Sequence, residues 1–225
     1  MRISFIYKTF FCLLVITQTV AQDFPLGFDS IANYLPNMVI ELRYASSDNF
    51  IGRTVAGYQN PKKVLTIETL CALQKVQEVL KKKGMTLKLF DGYRPQTAVD
   101  DFIRWTQDPN DTLNKARYYP NSNKIELFDL GYIAKRSGHS RGSTIDITLV
   151  YSKGPSKGKE LDMGSSWDFF GPISWIGTTV ITNQQAANRK LLKEIMTSHG
   201  FLPYDKEWWH FTLKGEPFPN TYFNF

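Results

Sequence analysis

Apolar residues recur along this chain with two periods, and the switches between them mark out its elements. From Thr66 onward, Ile67, Leu70, Cys71, Leu73, Val76, Val79 and Leu80 fall three or four apart, and Gly84 follows Lys81-Lys82-Lys83 as a stop. That spacing predicts a core helix, with Cys71 as a buried thiol on its apolar face. Thr86-Leu87-Lys88-Leu89-Phe90 alternates as a strand, and Asp91-Gly92-Tyr93-Arg94-Pro95 turns the chain into a second helix. Pro95 suits the first position of that helix, and Ala98, Val99, Phe102, Ile103 and Trp105 form its apolar residues. Arg94 is thereby placed at a strand-to-helix corner. Ile145, Ile147 and Leu149 alternate with Asp146 and Thr148, so the strand they form turns Asp146 away from its apolar side. Thr182-Asn183-Gln184-Gln185 is a capping box opening a helix through Leu191, Leu192, Ile195 and Met196 to a Gly200 stop. His210-Phe211-Thr212-Leu213 reads as a short strand, and Met38 to Tyr44 as another. Residues 112–136 carry no clear period.

Helices and strands are interleaved without a linker-like break or an internal repeat, which predicts one α+β domain over residues 22–225. The expected architecture is a small antiparallel sheet flanked by helices. The first 21 residues belong to a different pattern. Arg2 and Lys8 precede an apolar run from Thr9 to Val20, and Thr19-Val20-Ala21 supplies the small residues of a cleavage site before Gln22. The run is too short to anchor the chain in a bilayer, so residues 1–21 read as a signal peptide. The expected mature protein is exported, periplasmic or secreted, with no integral membrane segment.

Charge adds little. Removing Arg2 and Lys8 lowers the formal net charge from +6 to +4, that is 25 basic minus 21 acidic residues. The basic residues are scattered apart from Lys81-Lys82-Lys83, which suits a solvated helix end, so no nucleic-acid partner is expected. Of the two cysteines only Cys71 lies beyond the signal, which leaves no intramolecular disulfide.

The candidate chemistry lies in two stretches. In Ser137-Gly138-His139-Ser140-Arg141-Gly142, the glycines on either side of His139 allow a tight turn, and Asp146 follows seven residues later on a strand. Glu207-Trp208-Trp209-His210 brings a second histidine with a carboxylate three residues before it. Two imidazoles and one carboxylate make a three-ligand zinc set with one position open, and the ligand types favour zinc over other divalent ions. Glu207 is then free to act as a base on a metal-activated water. Arg94 offers a permanent charge opposite the metal, although its spacing serves a structural ion pair equally well. The third histidine, His199, sits in a last helical turn before Gly200 and reads as structural.

Together, Asp91-Gly92-Tyr93-Arg94-Pro95, Ser137 to Asp146, Met163-Gly164-Ser165-Ser166-Trp167-Asp168-Phe169, Glu207-Trp208-Trp209-His210 and the tail Pro217 to Phe223 resemble the zinc D-alanyl-D-alanine dipeptidases associated with vancomycin resistance. The resemblance covers nearly the whole of the chain after residue 21. It implies one Zn²⁺ per chain on His139, Asp146 and His210 in a central cleft, Glu207 as general base, and Arg94 on the transition-state oxyanion. It further implies that Ser137 and Asp168 hold the substrate's ammonium and that Tyr44 and Tyr58 line the pocket. The implied substrate is a free dipeptide, D-Ala-D-Ala or a close relative. The alternative on the same scaffold is a D,D-carboxypeptidase or peptidoglycan endopeptidase; oligomeric state is left open. The resistance enzymes act on a wall precursor in the cytoplasm, so an exported relative is expected to serve nutrient recovery or wall remodelling instead.

Overall fold

A computed structural model of the chain describes residues 24–225. The signal-peptide reading of residues 1–21 lies outside them. In chain order the elements are β1 (Phe28–Ser30), α1 (Ile31–Tyr34), β2 (Val39–Ile40), β3 (Val64–Thr66), α2 (Ile67–Lys82), β4 (Met85–Asp91), α3 (Gln96–Gln107), α4 (Lys115–Tyr118), β5 (Thr144–Tyr151), α5 (Asn183–Ser198), β6 (Phe201–Tyr204) and β7 (Glu207–Leu213). Five strands form the main sheet in the order β2-β4-β5-β7-β6, and β1 pairs with β3 in a separate two-stranded ribbon. The β2–β4 pair is parallel and the remaining pairs are antiparallel, so the expected antiparallel sheet gains one parallel edge. Among the described residues, no helix is long and apolar enough to cross a membrane.

The three long helices fall where the apolar spacing puts them. In α2, Leu70, Leu73, Val76 and Leu80 are all fully buried. Cys71 is exposed, contrary to expectation. It lies one residue past Leu70, about 100° round the helix from the inward stripe, and so off the face that meets the sheet. Pro95 proves to be the residue before α3 rather than its first, with extended backbone that the proline ring favours. The Thr182 capping box of α5 is formed in both directions, Gln185 N–H to Thr182 Oγ1 at 3.3 Å and Thr182 N–H to Gln185 Oε1 at 2.8 Å.

The strand expected over residues 38–44 shortens to Val39–Ile40, because the chain leaves the sheet in a single 3-10 turn at Arg43–Ala45. That turn drops Tyr44 into the core and leaves Arg43 beside Glu41 and Glu160. The simple alternation expected of β4 also fails, since Thr86 to Asp91 are all buried. Lys88 tolerates this because its ammonium is held by Glu41 and Glu160. Residues 112–136, unreadable by period, contain α4 and a 3-10 turn at Lys124–Leu127, and bury Tyr118, Tyr119, Leu127 and Ile133.

A smaller aromatic cluster stands behind the site. Phe28, Val64 and Tyr93 pack with Phe24, Phe218, Phe223 and Phe225, so the C-terminal tail folds back over β1 and β3. Its backbone is tied in as well: Phe223 N–H donates to the Ser140 carbonyl at 2.8 Å, and Gln96 N–H donates to the Phe223 carbonyl at 3.2 Å. The tail therefore braces both the start of α3 and the turn that carries His139.

Candidate active site

His139 sits on one turn of 3-10 helix, Gly138–Arg141, immediately before β5. Ser137 caps the turn, its Oγ accepting the His139 N–H at 3.2 Å. Gly142 closes it in the left-handed region at φ 80°, where a Cβ would also lie 2.2 Å from the Phe28 ring. Only glycine meets both demands. The imidazole is aimed by its Nδ1, which lies 2.8 Å from the Gly92 carbonyl. A carbonyl can only accept, so Nδ1 carries a proton and Nε2 is the nitrogen left to bind an ion. That Nε2 is buried without a hydrogen-bond partner.

Asp146 and His210 meet across the sheet as register partners on β5 and β7. His210 Nδ1 is 3.0 Å from Asp146 Oδ1, and His139 Nε2 is 3.3 Å from the same oxygen. One ligand atom from each of the three residues falls within 4.8 Å of the others. Ligand atoms around a tetrahedral zinc stand roughly 3.3 Å apart, given metal–ligand lengths near 2.0 Å. The donor set, the orphaned Nε2 and these separations fit a divalent ion. Burial works to raise the Asp146 carboxyl, but the imidazoles of His139 and His210 beside it outweigh burial and hold the carboxyl far below the usual carboxylate range.

Glu207 opens β7 and is buried, not solvated in a loop. Residues three apart on a regular strand point to opposite faces, yet Glu207 Oε2 comes within 3.4 Å of His210 Nδ1. The β6–β7 register explains this: Pro203 pairs with Phe211 but Tyr204 pairs with Glu207, so the stretch between them bulges. Burial, then the charges of Asp146 and Asp168, push the Glu207 carboxyl well above its ordinary value.

Arg94 does lie at the β4–α3 corner, with its side chain only 12% exposed. Its Nε donates to Asp91 Oδ2 at 2.8 Å and its Nη1 approaches Ser137 Oγ at 3.5 Å, while the guanidinium stacks 5.0 Å above the Tyr44 ring. Asp168 has a left-handed backbone, φ 59°, the one positive value among non-glycine residues described. Its buried carboxylate accepts the Tyr44 hydroxyl at 2.6 Å. Burial, then the charge of Asp146, push Asp168 well above the carboxylate range.

These side chains surround one cleft of about 260 Å³. Tyr44, Arg94, Ser137, His139, Asp146, Asp168, Glu207 and His210 all line it, with Phe50, Phe102 and Tyr132 among its apolar walls. Tyr58, expected in the pocket, does not line it. Its hydroxyl donates to Asp91 one layer behind, and the residue is 2% exposed. His199 also lies elsewhere, its Nδ1 on the Ile195 carbonyl at 2.7 Å at the end of α5.

Asp91 was hidden in what reads as a turn. It is fully buried, takes Arg94 and Tyr58, and comes within 3.5 Å of His139 Nδ1, so it orients two site residues at once. The available signal was an acid closing a strand that is otherwise buried.

A family profile described as D-ala-D-ala dipeptidase, of peptidase family M15, matches residues 25–225. The chain belongs to the D-Ala-D-Ala dipeptidase family. A D-alanyl-D-alanine dipeptidase of Streptomyces coelicolor is 47% identical over 82% of this chain and 90% of its own length. One of Enterococcus faecalis is 43% identical over 88% and 97% of the two chains, and one of Escherichia coli 31% identical over 81% and 82%. Membership of the D-Ala-D-Ala dipeptidase family makes this protein a metallopeptidase, as the sequence motifs imply. The single α+β domain expected from the alternation of helices and strands agrees with that membership.

Proposed function

We propose that this protein hydrolyses free D-Ala-D-Ala, or a closely related dipeptide, using one zinc ion held by His139, Asp146 and His210. The observation that carries this is the buried, partnerless Nε2 of His139, aimed at a carboxylate oxygen that His210 also approaches. When bound there, zinc supplies a Lewis acid that lowers the pKa of a water to about 7 and polarises a carbonyl. Glu207 accepts the proton of the attacking water on its carboxylate and returns it to the departing amine nitrogen. The Arg94 guanidinium, held rigid by Asp91, donates to the oxyanion; one such donor contributes about 3 kcal/mol to lowering the barrier. Asp168 and Ser137 hold the α-ammonium, and Tyr44 fixes the Asp168 carboxylate. The apolar walls contributed by Phe50 and Phe102 exclude water from these charges.

A buried acid at the amino end suits a free ammonium and penalises an acylated one, which has no charge to offer it. The cleft volume, below that of drug-sized pockets, also suits a dipeptide. The charged start and apolar run of residues 1–21 support export, so the substrate is a dipeptide released outside the inner membrane, and the role is nutrient recovery or wall remodelling. Purified protein is expected to cleave D-Ala-D-Ala and to leave its N-acylated form intact. Turnover of the acylated form alone would establish the carboxypeptidase or endopeptidase reading in its place. Export is tested separately by amino-terminal sequencing of the mature protein, with Gln22 expected first.

A further inference from the structure

The carboxylate of Asp146 has two oxygens, and only Oδ1 faces the two histidines. Oδ2 lies 3.3 Å from the indole Nε1 of Trp167, which donates to it. Trp167 is 1% exposed, and its ring centre lies 4.9 Å from that of Tyr44 and 5.6 Å from that of Phe90. The indole has no room to turn and carries a single donor. The other candidate partner for Oδ2 is Arg94, but its Nη2 stands 3.7 Å away, beyond hydrogen-bond length, while its Nε is committed to Asp91.

We propose that Trp167 is a positioning residue of the metal site: its indole N–H fixes Asp146 so that Oδ1 alone is offered to the ion. This rests on the zinc reading above. A carboxylate free to swing can present both oxygens and crowd the position that water needs, whereas one held at Oδ2 cannot. A neutral donor suits the task, because it orients the ligand without cancelling the negative charge that attracts the ion. A cation at the same spot would compete with the metal, and Arg94 would be withdrawn from the substrate side. The neighbouring Asp168 adds to the case. Its left-handed backbone sets its carboxylate on Tyr44, so two successive residues serve the metal ligand and the proposed ammonium pocket.

The test compares Trp167→Phe with Phe90→Leu, each titrated with zinc after the metal is stripped, against a competing chelator. Trp167→Phe keeps an aromatic ring and deletes the N–H; Phe90→Leu loosens the same packing and keeps it. Trp167→Phe is expected to weaken zinc binding at least about 10-fold and Phe90→Leu to leave it within about 2-fold. The Co²⁺-loaded Trp167→Phe protein is expected to show weaker visible absorption than wild type, as the second Asp146 oxygen enters as a fifth ligand. In the wild type, the Trp167 indole proton should shift on zinc addition, a reading that needs no variant to fold. Equal zinc affinity in wild type and Trp167→Phe, or equal weakening by Phe90→Leu, overturns the positioning role alone. A wild-type protein that takes up no zinc overturns the site as a whole.

Discussion

Two buried groups of acids in this protein are treated in opposite ways. Asp101, on α3, is 4% exposed and saturated with donors: Arg53 grips it at 2.7 and 3.0 Å, the Ala56 N–H reaches it at 2.9 Å and Arg104 at 3.2 Å. Although burial works against ionisation, these donors hold the Asp101 carboxyl below its ordinary value. Asp168 and Glu207 are as deeply buried but poorly supplied, Asp168 with a tyrosine hydroxyl and Glu207 with one 3.4 Å approach to His210. Both are pushed well above the carboxylate range, by burial and then by neighbouring carboxylates. An acid that serves only the fold is satisfied inside the chain. Acids left short of donors around one cleft are waiting for charge from outside, a metal ion and a substrate ammonium.

Substitutions that keep shape and remove charge sharpen this contrast. The largest effect is expected from Glu207→Gln, which should lower kcat by about 10²–10⁴-fold while zinc content stays at wild type. Arg94→Ala should lower kcat by about 10²–10³-fold, as loss of one oxyanion donor does. Asp168→Asn should raise the KM for D-Ala-D-Ala about 10–100-fold, the effect of losing a hydrogen-bonded charge. The same change should raise the melting temperature of the metal-free protein at neutral pH. The sign follows from the raised carboxyl: as pH rises above the unfolded value of about 3.9, the folded state must either keep a proton or hold a charge it disfavours, and asparagine removes that cost. Asp101→Asn should do the reverse, lowering stability by about 1–3 kcal/mol with kcat and KM unchanged. Because the Asp101 carboxyl is depressed, its stabilisation is complete above the unfolded value of about 3.9 and is lost as pH falls through the lower folded value. Thermal melts across the acid range should therefore show a flatter acid limb in Asp101→Asn. A loss of activity in this variant, or destabilisation by Asp168→Asn, would erase the distinction.

Much of this was legible in the sequence, for identifiable reasons. The long helices declared themselves by apolar spacing and by stops at Gly84 and Gly200, and β5 by alternation that turned Asp146 off the apolar side. His139, Asp146, Glu207 and His210 stood in two short motifs whose residue types suit a metal site. The parts that stayed hidden depend on tertiary pairing. No local pattern shows the β6–β7 bulge that brings Glu207 round to His210, since it exists only when Tyr204 skips to Glu207. Apolar spacing misplaces Cys71 because two adjacent apolar residues on a helix cannot both face the core centre. Tyr58 shared a motif-like setting with Tyr44, yet its hydroxyl turns to Asp91, a residue that itself looked like part of a turn. Burial of Lys88 depends on Glu41 and Glu160, 47 and 72 residues away along the chain.

Everything proposed for the cleft depends on His139, Asp146 and His210 closing on the same ion. Anomalous diffraction at the zinc edge, from crystals grown with stoichiometric Zn²⁺, tests this most directly. One peak per chain is expected, about 2.0–2.2 Å from His139 Nε2, from an Asp146 carboxylate oxygen and from a His210 ring nitrogen. No peak there, or a peak bound by other residues, would contradict it.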